Sequence, residues 1–276
     1  MTEQTRSTQR DIIEALAVSP NIDADHEIER RVGFLADYLR DGGLKALVLG
    51  ISGGVDSTIG GRLCQLAVER VRDNGGDARF YAVRLPHGEQ HDADDARTAL
   101  DFIQPDELLD VNIEAPTSGM QQALENSNLS FDDAEQEDFI LGNVKARQRM
   151  VVQYAIASRH SGLVVGTDQA AEAVMGFFTK FGDGAADVTP LFGLTKGQVR
   201  ALGEKLGAPD ALVNKQPTAD LESLKPQRPD EEVFGVSYDE IDTFLEGGEV
   251  SDHARETIID AYEATAHKRA LPAAPA

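Results

Sequence analysis

The segment Gly50-Ile51-Ser52-Gly53-Gly54-Val55-Asp56-Ser57-Thr58 gathers residue types that can hold a chain of phosphates. Gly53 and Gly54 let backbone N–H groups turn toward an anion, and a helix starting just after them adds positive potential. The hydroxyls of Ser52, Ser57 and Thr58 are candidate donors to phosphate oxygens. No Gly-Lys-[Ser/Thr] follows, so this is not a Walker A loop, and the glycine spacing is not G-x-G-x-x-G. Asp56 is unhelpful in such a cradle, because a carboxylate repels phosphate. A divalent cation between Asp56 and the phosphates resolves the conflict, and Mg²⁺ suits such a site. The bland alternative is a Gly-rich turn with Asp56 as a helix cap. The string S-G-G-V-D-S, placed directly after an apolar run, weighs against it.

The elements around that loop alternate. Residues 46–51 are a short apolar run and read as a buried strand; 79–85, 108–113 and 162–166 read likewise. Ile28, Val32, Leu35 and Leu39 fall at helical spacing over 27–39, which Gly42 and Gly43 end. Further helices read over 12–18, 58–71, 93–103, 116–124, 139–158, 168–174, 238–245 and 254–268. Another is capped by Thr195, runs to Leu206 and stops at Gly207. Strands separated by helices imply parallel pairing through right-handed crossovers. The expected fold is an open, doubly wound parallel α/β sheet with helices on both faces. Its ligands bind beyond the carboxyl ends of the strands, where strand order reverses. That rule points to the loops after Ile51, Leu85, Ile113 and Gly166. Segment 176–188, rich in Gly and Asp, reads as a mobile loop, and the proline-punctuated 214–229 as an active-site loop or lid.

Composition bounds the partners. The 276 residues carry 26 Lys plus Arg against 48 Asp plus Glu, a net charge of −22. General binding to nucleic acid or to an anionic membrane needs a basic face, so neither is an expected partner. Cys64 is the sole cysteine, which excludes an intramolecular disulfide and a Cys-based zinc site. No apolar run approaches the ~18 residues of a membrane span, and residues 1–10 are polar, without a signal core. A cytoplasmic protein is expected, as one domain over 1–276 whose Ala/Pro-rich end, 270–276, is a disordered tail.

The loop at 50–57 resembles the pyrophosphate loop of the N-type ATP pyrophosphatases. Five further segments resemble, in order, those of NAD synthetases of the short, ammonia-dependent type. They are Gly142-Asn143-Val144-Lys145-Ala146-Arg147-Gln148-Arg149-Met150, Gly166-Thr167-Asp168-Gln169-Ala170-Ala171-Glu172-Ala173, Gly176-Phe177-Phe178-Thr179-Lys180-Phe181-Gly182-Asp183-Gly184, Pro217-Thr218-Ala219-Asp220-Leu221 and Glu263-Ala264-Thr265-Ala266-His267-Lys268-Arg269. The resemblance implies an adenine nucleotide alpha hydrolase-like sheet and a ligase. That ligase adenylates nicotinic acid adenine dinucleotide (deamido-NAD) with ATP and then replaces AMP with ammonia. It implies Mg²⁺ as cofactor and a homodimer whose interface helps hold the dinucleotide.

Roles carry over by position. The stretch from Gly50 through Ile51, Ser52, Gly53, Gly54, Val55, Asp56 and Ser57 matches ATP contacts, as do Thr167, Lys196 and Thr218. Asp56 and Glu172 match the two metal carboxylates. They converge if the strands ahead of them are neighbours. Arg147, Lys180, Asp187, His267 and Lys268 match deamido-NAD contacts. A Lys in the first turn of a helix opposes the helix dipole, so Lys196 is unfavourable there unless an anion is near. Val55 stands where family members often carry Gln, and Gln169 where they carry His. The tail lacks the aromatic, acidic ending of some relatives. No amide-hydrolysing part is present in the sequence, which points to free ammonia rather than glutamine. Two other readings are a tRNA-thiolating enzyme with the same loop and a nucleotide-binding protein of universal-stress type. The acidic charge and lone cysteine weigh against the first. The second would not need Asp56, Glu172 and Lys180 together.

Overall fold

A computed structural model describes residues 7–88, 93–219 and 221–275. Residues 1–6, Asp220 of the 217–221 motif and Ala276 of the tail lie outside the described residues. Ala46, Leu47, Val48 and Leu49 of strand β1 (Ala46–Gly50) are all buried. A strand hidden on both faces belongs inside a parallel sheet covered by helices. It pairs in parallel with β2 (Arg79–Arg84) on one side and with β4 (Gly162–Val164) on the other, and β3 (Glu107–Asp110) lies beyond β2. The order is therefore β3-β2-β1-β4, and it reverses between β1 and β4. Beyond β4 a parallel bridge joins Val165 to Val188, with Gly166 N donating to Val188 O and Asp187 N to Val164 O, each at 2.9 Å.

Successive side chains of a strand face opposite ways, so β1 feeds two cores. Leu47 and Leu49 join the larger one, under α2 (Ala24–Asp41), α3 (Val55–Asp73), α4 (Ala93–Ile103) and α8 (Lys196–Leu206). Val48 joins Val83, Val164 and Ala157 on the other face, covered by α6 (Ala134–Arg159), beside which α5 (Glu114–Asn126) packs. A third cluster unites α1 (Gln9–Ala15), α7 (Ala170–Met175), α11 (Tyr238–Leu245) and α12 (Asp252–Ala264). Short elements complete the chain: α9 (Asp210–Val213), β5 (Thr218–Ala219), β6 (Arg228–Pro229), α10 (Asp230–Phe234) and α13 (Ala266–Arg269). The doubly wound sheet with helices on both faces is thus present.

Several boundaries differ from the sequence reading. Helix α6 starts five residues ahead of 139, because the Asp133 carboxylate accepts from Gln136 N at 2.8 Å and caps it. The helix read over 254–268 is interrupted at Thr265, whose hydroxyl donates to Ala261 O at 2.6 Å. Segment 176–188 is not a loose loop. Thr179 N donates to Asp183 Oδ1 at 2.9 Å, Thr179 Oγ1 bonds to Asn143 Oδ1 at 2.9 Å, and Val188 extends the sheet. Segment 214–229 is drawn together by the antiparallel pairing of β5 with β6. Among the described residues no helix is long and apolar enough to cross a membrane.

Candidate active site

Where β1 and β4 diverge, their loops and the helices after them enclose a cavity of about 560 Å³. Gly53 has φ +85°, a left-handed conformation that glycine adopts without strain. A Cβ there would also come within 2.7 Å of Ala96 N at the start of α4. The turn is braced internally: Gly54 N donates to Ser52 Oγ at 3.2 Å, Ser57 Oγ to Gly54 O at 3.1 Å, and the Ser52 and Ser57 hydroxyls are 3.1 Å apart. Thr58 does not serve as a phosphate donor in this arrangement. Its side chain is fully buried, and its hydroxyl donates to Gly54 O at 2.7 Å.

Gly50, Ile51, Ser52, Gly54, Val55 and Ser57 all line the cavity, while Gly53 faces α4 instead. Asp56 of the same turn lines the cavity too, together with Thr167, Glu172, Lys196 and Thr218 from elsewhere in the chain. The sequence-derived ATP half of the site is therefore brought together, with Gly53 acting through the shape of the turn.

Charge is concentrated here. Lys196 Nζ lies 2.6 Å from Asp56 Oδ2, and both side chains are nearly dry, 3% and 14% exposed. Burial would lower the Lys196 pKa, but Asp56 and Glu172 outweigh it and raise it, so the ammonium is firmly charged. Glu172 is pushed well above the usual carboxylate range, first by burial and then by Asp56. Asp168 is pushed up to about 7 by burial and by Asp183 and Asp56. The helix-dipole problem at Lys196 is solved by Asp242. Its Oδ1 accepts from Lys196 N at 3.1 Å and its Oδ2 from Gly197 N at 2.6 Å, which places a carboxylate on the N-terminus of α8. Burial pushes Asp242 up to about 6 in spite of those bonds.

The metal expectation meets an observation of the structure. Asp56 Oδ1 is buried and has no hydrogen-bond partner. Such an orphaned oxygen, near the half-buried carboxylate of Glu172 and the glycine-rich turn, fits a hard divalent cation. Among the described residues no three His, Cys, Asp or Glu side chains gather into a metal cage. Mg²⁺ needs none, since it commonly takes one or two carboxylates together with substrate phosphates.

The residues expected to hold deamido-NAD are placed differently. Lys268 reaches the cavity wall, but its ammonium is bound to Gly176 O at 2.8 Å and Phe178 O at 2.9 Å. Arg147, Lys180 and His267 form a chain on the outer rim. Arg147 donates to Lys180 O at 3.2 Å, and Lys180 Nζ donates to His267 O. Asp187 lies at the sheet edge, its Oδ2 accepting from Val164 N at 2.7 Å. These four side chains do not line the cavity that gathers the residues expected to hold ATP.

The sequence reading did not single out Asp230, Tyr238, Asp168 or Asp183. Tyr238 OH donates to Asp230 Oδ2 at 2.9 Å, Asp230 Oδ1 is buried without a partner, and Lys196 Nζ lies 5.1 Å from the Tyr238 ring centre. No local pattern links these residues to Lys196. Asp168 and Asp183 stand inside the quoted segments. For Asp168 the available signal was its place between the end of β4 and the start of α7, while Asp183, in the irregular stretch after α7, offered only its glycine-rich surroundings.

Comparison with known proteins agrees with this geometry. The family model described as NAD synthase matches residues 27–272. A relative from Streptomyces coelicolor, named NH(3)-dependent NAD(+) synthetase, is 60% identical over 97% of this chain and 97% of its own length. The crystal structure of NAD+ synthetase from Burkholderia pseudomallei superposes with a TM-score of 0.83 at 57% identity, covering 96% of each chain. The structure of NMN synthetase from Francisella tularensis does so with a TM-score of 0.80 at 33% identity, covering 92% of this chain and 99% of that one. A glycine-rich turn and two cavity-lining carboxylates at the reversal of a parallel sheet, in a chain matched along nearly its whole length, place this protein in the NAD synthase family.

Proposed function

We propose that the protein catalyses the ATP-dependent amidation of deamido-NAD by ammonia, giving NAD, AMP and pyrophosphate. The observation that carries this reading is the meeting of the 50–57 cradle, Asp56 and Glu172 in one cavity at the strand-order reversal. In the first half-reaction the nicotinate carboxylate oxygen bonds to the α-phosphorus of ATP, and the bond from that phosphorus to pyrophosphate breaks. The N–H groups of the cradle and the Lys196 ammonium hold the departing phosphates in line. Mg²⁺, held by Asp56 and Glu172, would supply charge neutralisation of the pyrophosphate. In the second half-reaction the nitrogen lone pair of ammonia attacks the acyl carbon. AMP leaves with the electrons of the broken C–O bond, and the nitrogen loses one proton. Thr167 and Thr218 line the nucleotide side of the cavity. Leu221 and Glu222 line the cavity as well, and the 221–224 segment would keep water from the acyl adenylate.

We further infer a homodimer. Only Gly142, Lys145, Ala146 and Ala157 of the 26 residues of α6 are buried, while Phe139 and Val151 are 60% and 55% exposed. Met120 on the neighbouring α5 is exposed as well. Exposed apolar side chains on α5 and α6 are a candidate surface for a second copy to cover. Arg147 on α6, with Lys180 and His267 bonded to it in series, lies outside the cavity, which supports a dinucleotide site completed by a second copy. ATP as co-substrate and a single buried thiol fit a cytoplasmic setting.

The test is direct. Purified protein with deamido-NAD, ATP, Mg²⁺ and ammonium should release NAD, AMP and pyrophosphate in equal amounts. Glutamine freed of ammonia should not replace ammonium. The likeness to NMN synthetase makes nicotinic acid mononucleotide the comparator, and it should be the poorer substrate. AMP without NAD, or faster turnover of the mononucleotide, would overturn the assignment. Sedimentation of the free protein, with and without Val151→Glu, tests the dimer.

A further inference from the structure

The reading above gives Asp56 to a metal and Lys196 to a phosphate, yet the two side chains are bonded to each other. Lys196 Nζ sits 2.6 Å from Asp56 Oδ2, so one oxygen of the metal carboxylate is already held by a cation. That cation is not a mobile surface lysine. Its side chain is 3% exposed, its backbone N is fixed by Asp242, and the Tyr238 ring lies beneath it. Asp230, bonded to Tyr238, adds a further negative wall. The remaining oxygen, Asp56 Oδ1, is buried and unpartnered. A dication arriving there would sit beside a buried ammonium. Repulsion between like charges is strong in a dry site and is little screened by salt. Triphosphate oxygens change the sign of the encounter, because they give both cations an anion to share.

We propose that Lys196 is a specificity-determining residue that makes the site refuse free divalent metal and accept it only together with the nucleotide. The proposal rests on Asp56 and Glu172 being the metal carboxylates. Three consequences follow from the charge arrangement. Metal affinity without nucleotide is low in the wild type. It rises when the ammonium is removed. With nucleotide present the order reverses, because Lys196 then holds a phosphate.

Calorimetric titration with Mn²⁺ tests this on the folded protein, without turnover. In the absence of nucleotide, Lys196→Met should bind Mn²⁺ at least about tenfold more tightly than wild type, a modest return for removing a close like charge. The gain should vanish in the Lys196→Met, Asp56→Asn double variant. With a non-hydrolysable ATP analogue, wild type should bind the metal more tightly than Lys196→Met. Equal or weaker Mn²⁺ binding by Lys196→Met, with the Asp56 dependence intact, would overturn the proposal and leave the metal site standing. Indifference of Mn²⁺ binding to Asp56→Asn in every background would instead overturn the metal site itself. If Lys196→Met does not fold, NMR of ¹⁵N-lysine wild-type protein decides the matter. The Lys196 ammonium signal should persist with Mg²⁺ alone and shift when the ATP analogue is added. Displacement by Mg²⁺ alone would refute the proposal.

Discussion

Asp56 carries two burdens, one in the ion pair with Lys196 and one in an oxygen that has no partner. Asp56→Asn keeps the volume and removes the charge, so the fold should persist while pyrophosphate release falls by about 10²–10³-fold, the usual scale for losing one electrostatic stabiliser. A single-turnover assay on protein with an unchanged circular dichroism spectrum checks it; activity near wild type at ordinary Mg²⁺ would remove Asp56 from the site. Buried acids also set a pH dependence. Asp168 is raised to about 7 and Asp242 to about 6, both chiefly by burial. Over the range between the unfolded carboxylate value and these raised values, the folded state binds more protons than the unfolded one. Stability therefore falls as pH rises through that window and is restored on acidification. Denaturant midpoints without ligands should be higher at about pH 5.5 than at about pH 7.5, and the difference should shrink in Asp168→Asn.

At the scale of elements, α6 ties the cavity roof to the sheet. Gln153 Oε1 accepts from Gly50 N at 2.8 Å at the end of β1. A few turns earlier, the Asp138 carboxylate accepts from Ser223 N at 2.8 Å and from Leu224 N at 2.7 Å. Lys145 Nζ donates to Leu221 O and to Ser223 Oγ, both at 2.8 Å. Asp138→Ala should loosen residues 221–224, raising their amide exchange about tenfold or more, for a loss of at least 1.4 kcal/mol of local closure. AMP should then form in excess of NAD as the acyl adenylate meets water. Exchange rates and product ratios equal to wild type would show that the latch is idle. Much of this architecture was legible beforehand. Apolar runs set between helical spacings give the parallel sheet, and the cradle with its misplaced Asp56 marks the site. What was hidden depends on contacts distant in sequence. Asp242 caps α8 from 46 positions away, and Lys196 meets Asp56 across 140. The Val165–Val188 bridge is a single pair, too short to leave an alternating pattern. β5 and β6, two residues each, are equally unreadable.

The whole molecule bears a charge of −22, with 27 Asp, 21 Glu and 18 Arg but only 8 Lys. Repulsion at this density opposes compaction, and about 1 M salt, with a Debye length near 3 Å, removes most of it. Melting temperature should climb with KCl while the apparent affinity for both anionic substrates declines. A flat or falling melting curve would mark an ordinary acidic enzyme rather than a salt-adapted one. One more property follows from Cys64, which lies on α3 in the larger core with no exposed surface. Burial pushes its thiol far above the ordinary range, so the reactive thiolate is withheld as long as the core is closed. As the chain's sole sulfhydryl, it is a ready-made clock for opening of the core. A colourimetric thiol reagent should label the native protein only as fast as the core opens, and saturating ATP, Mg²⁺ and deamido-NAD should slow that labelling by mass action. No engineered dye or tag is required to time the molecule's excursions out of its folded state.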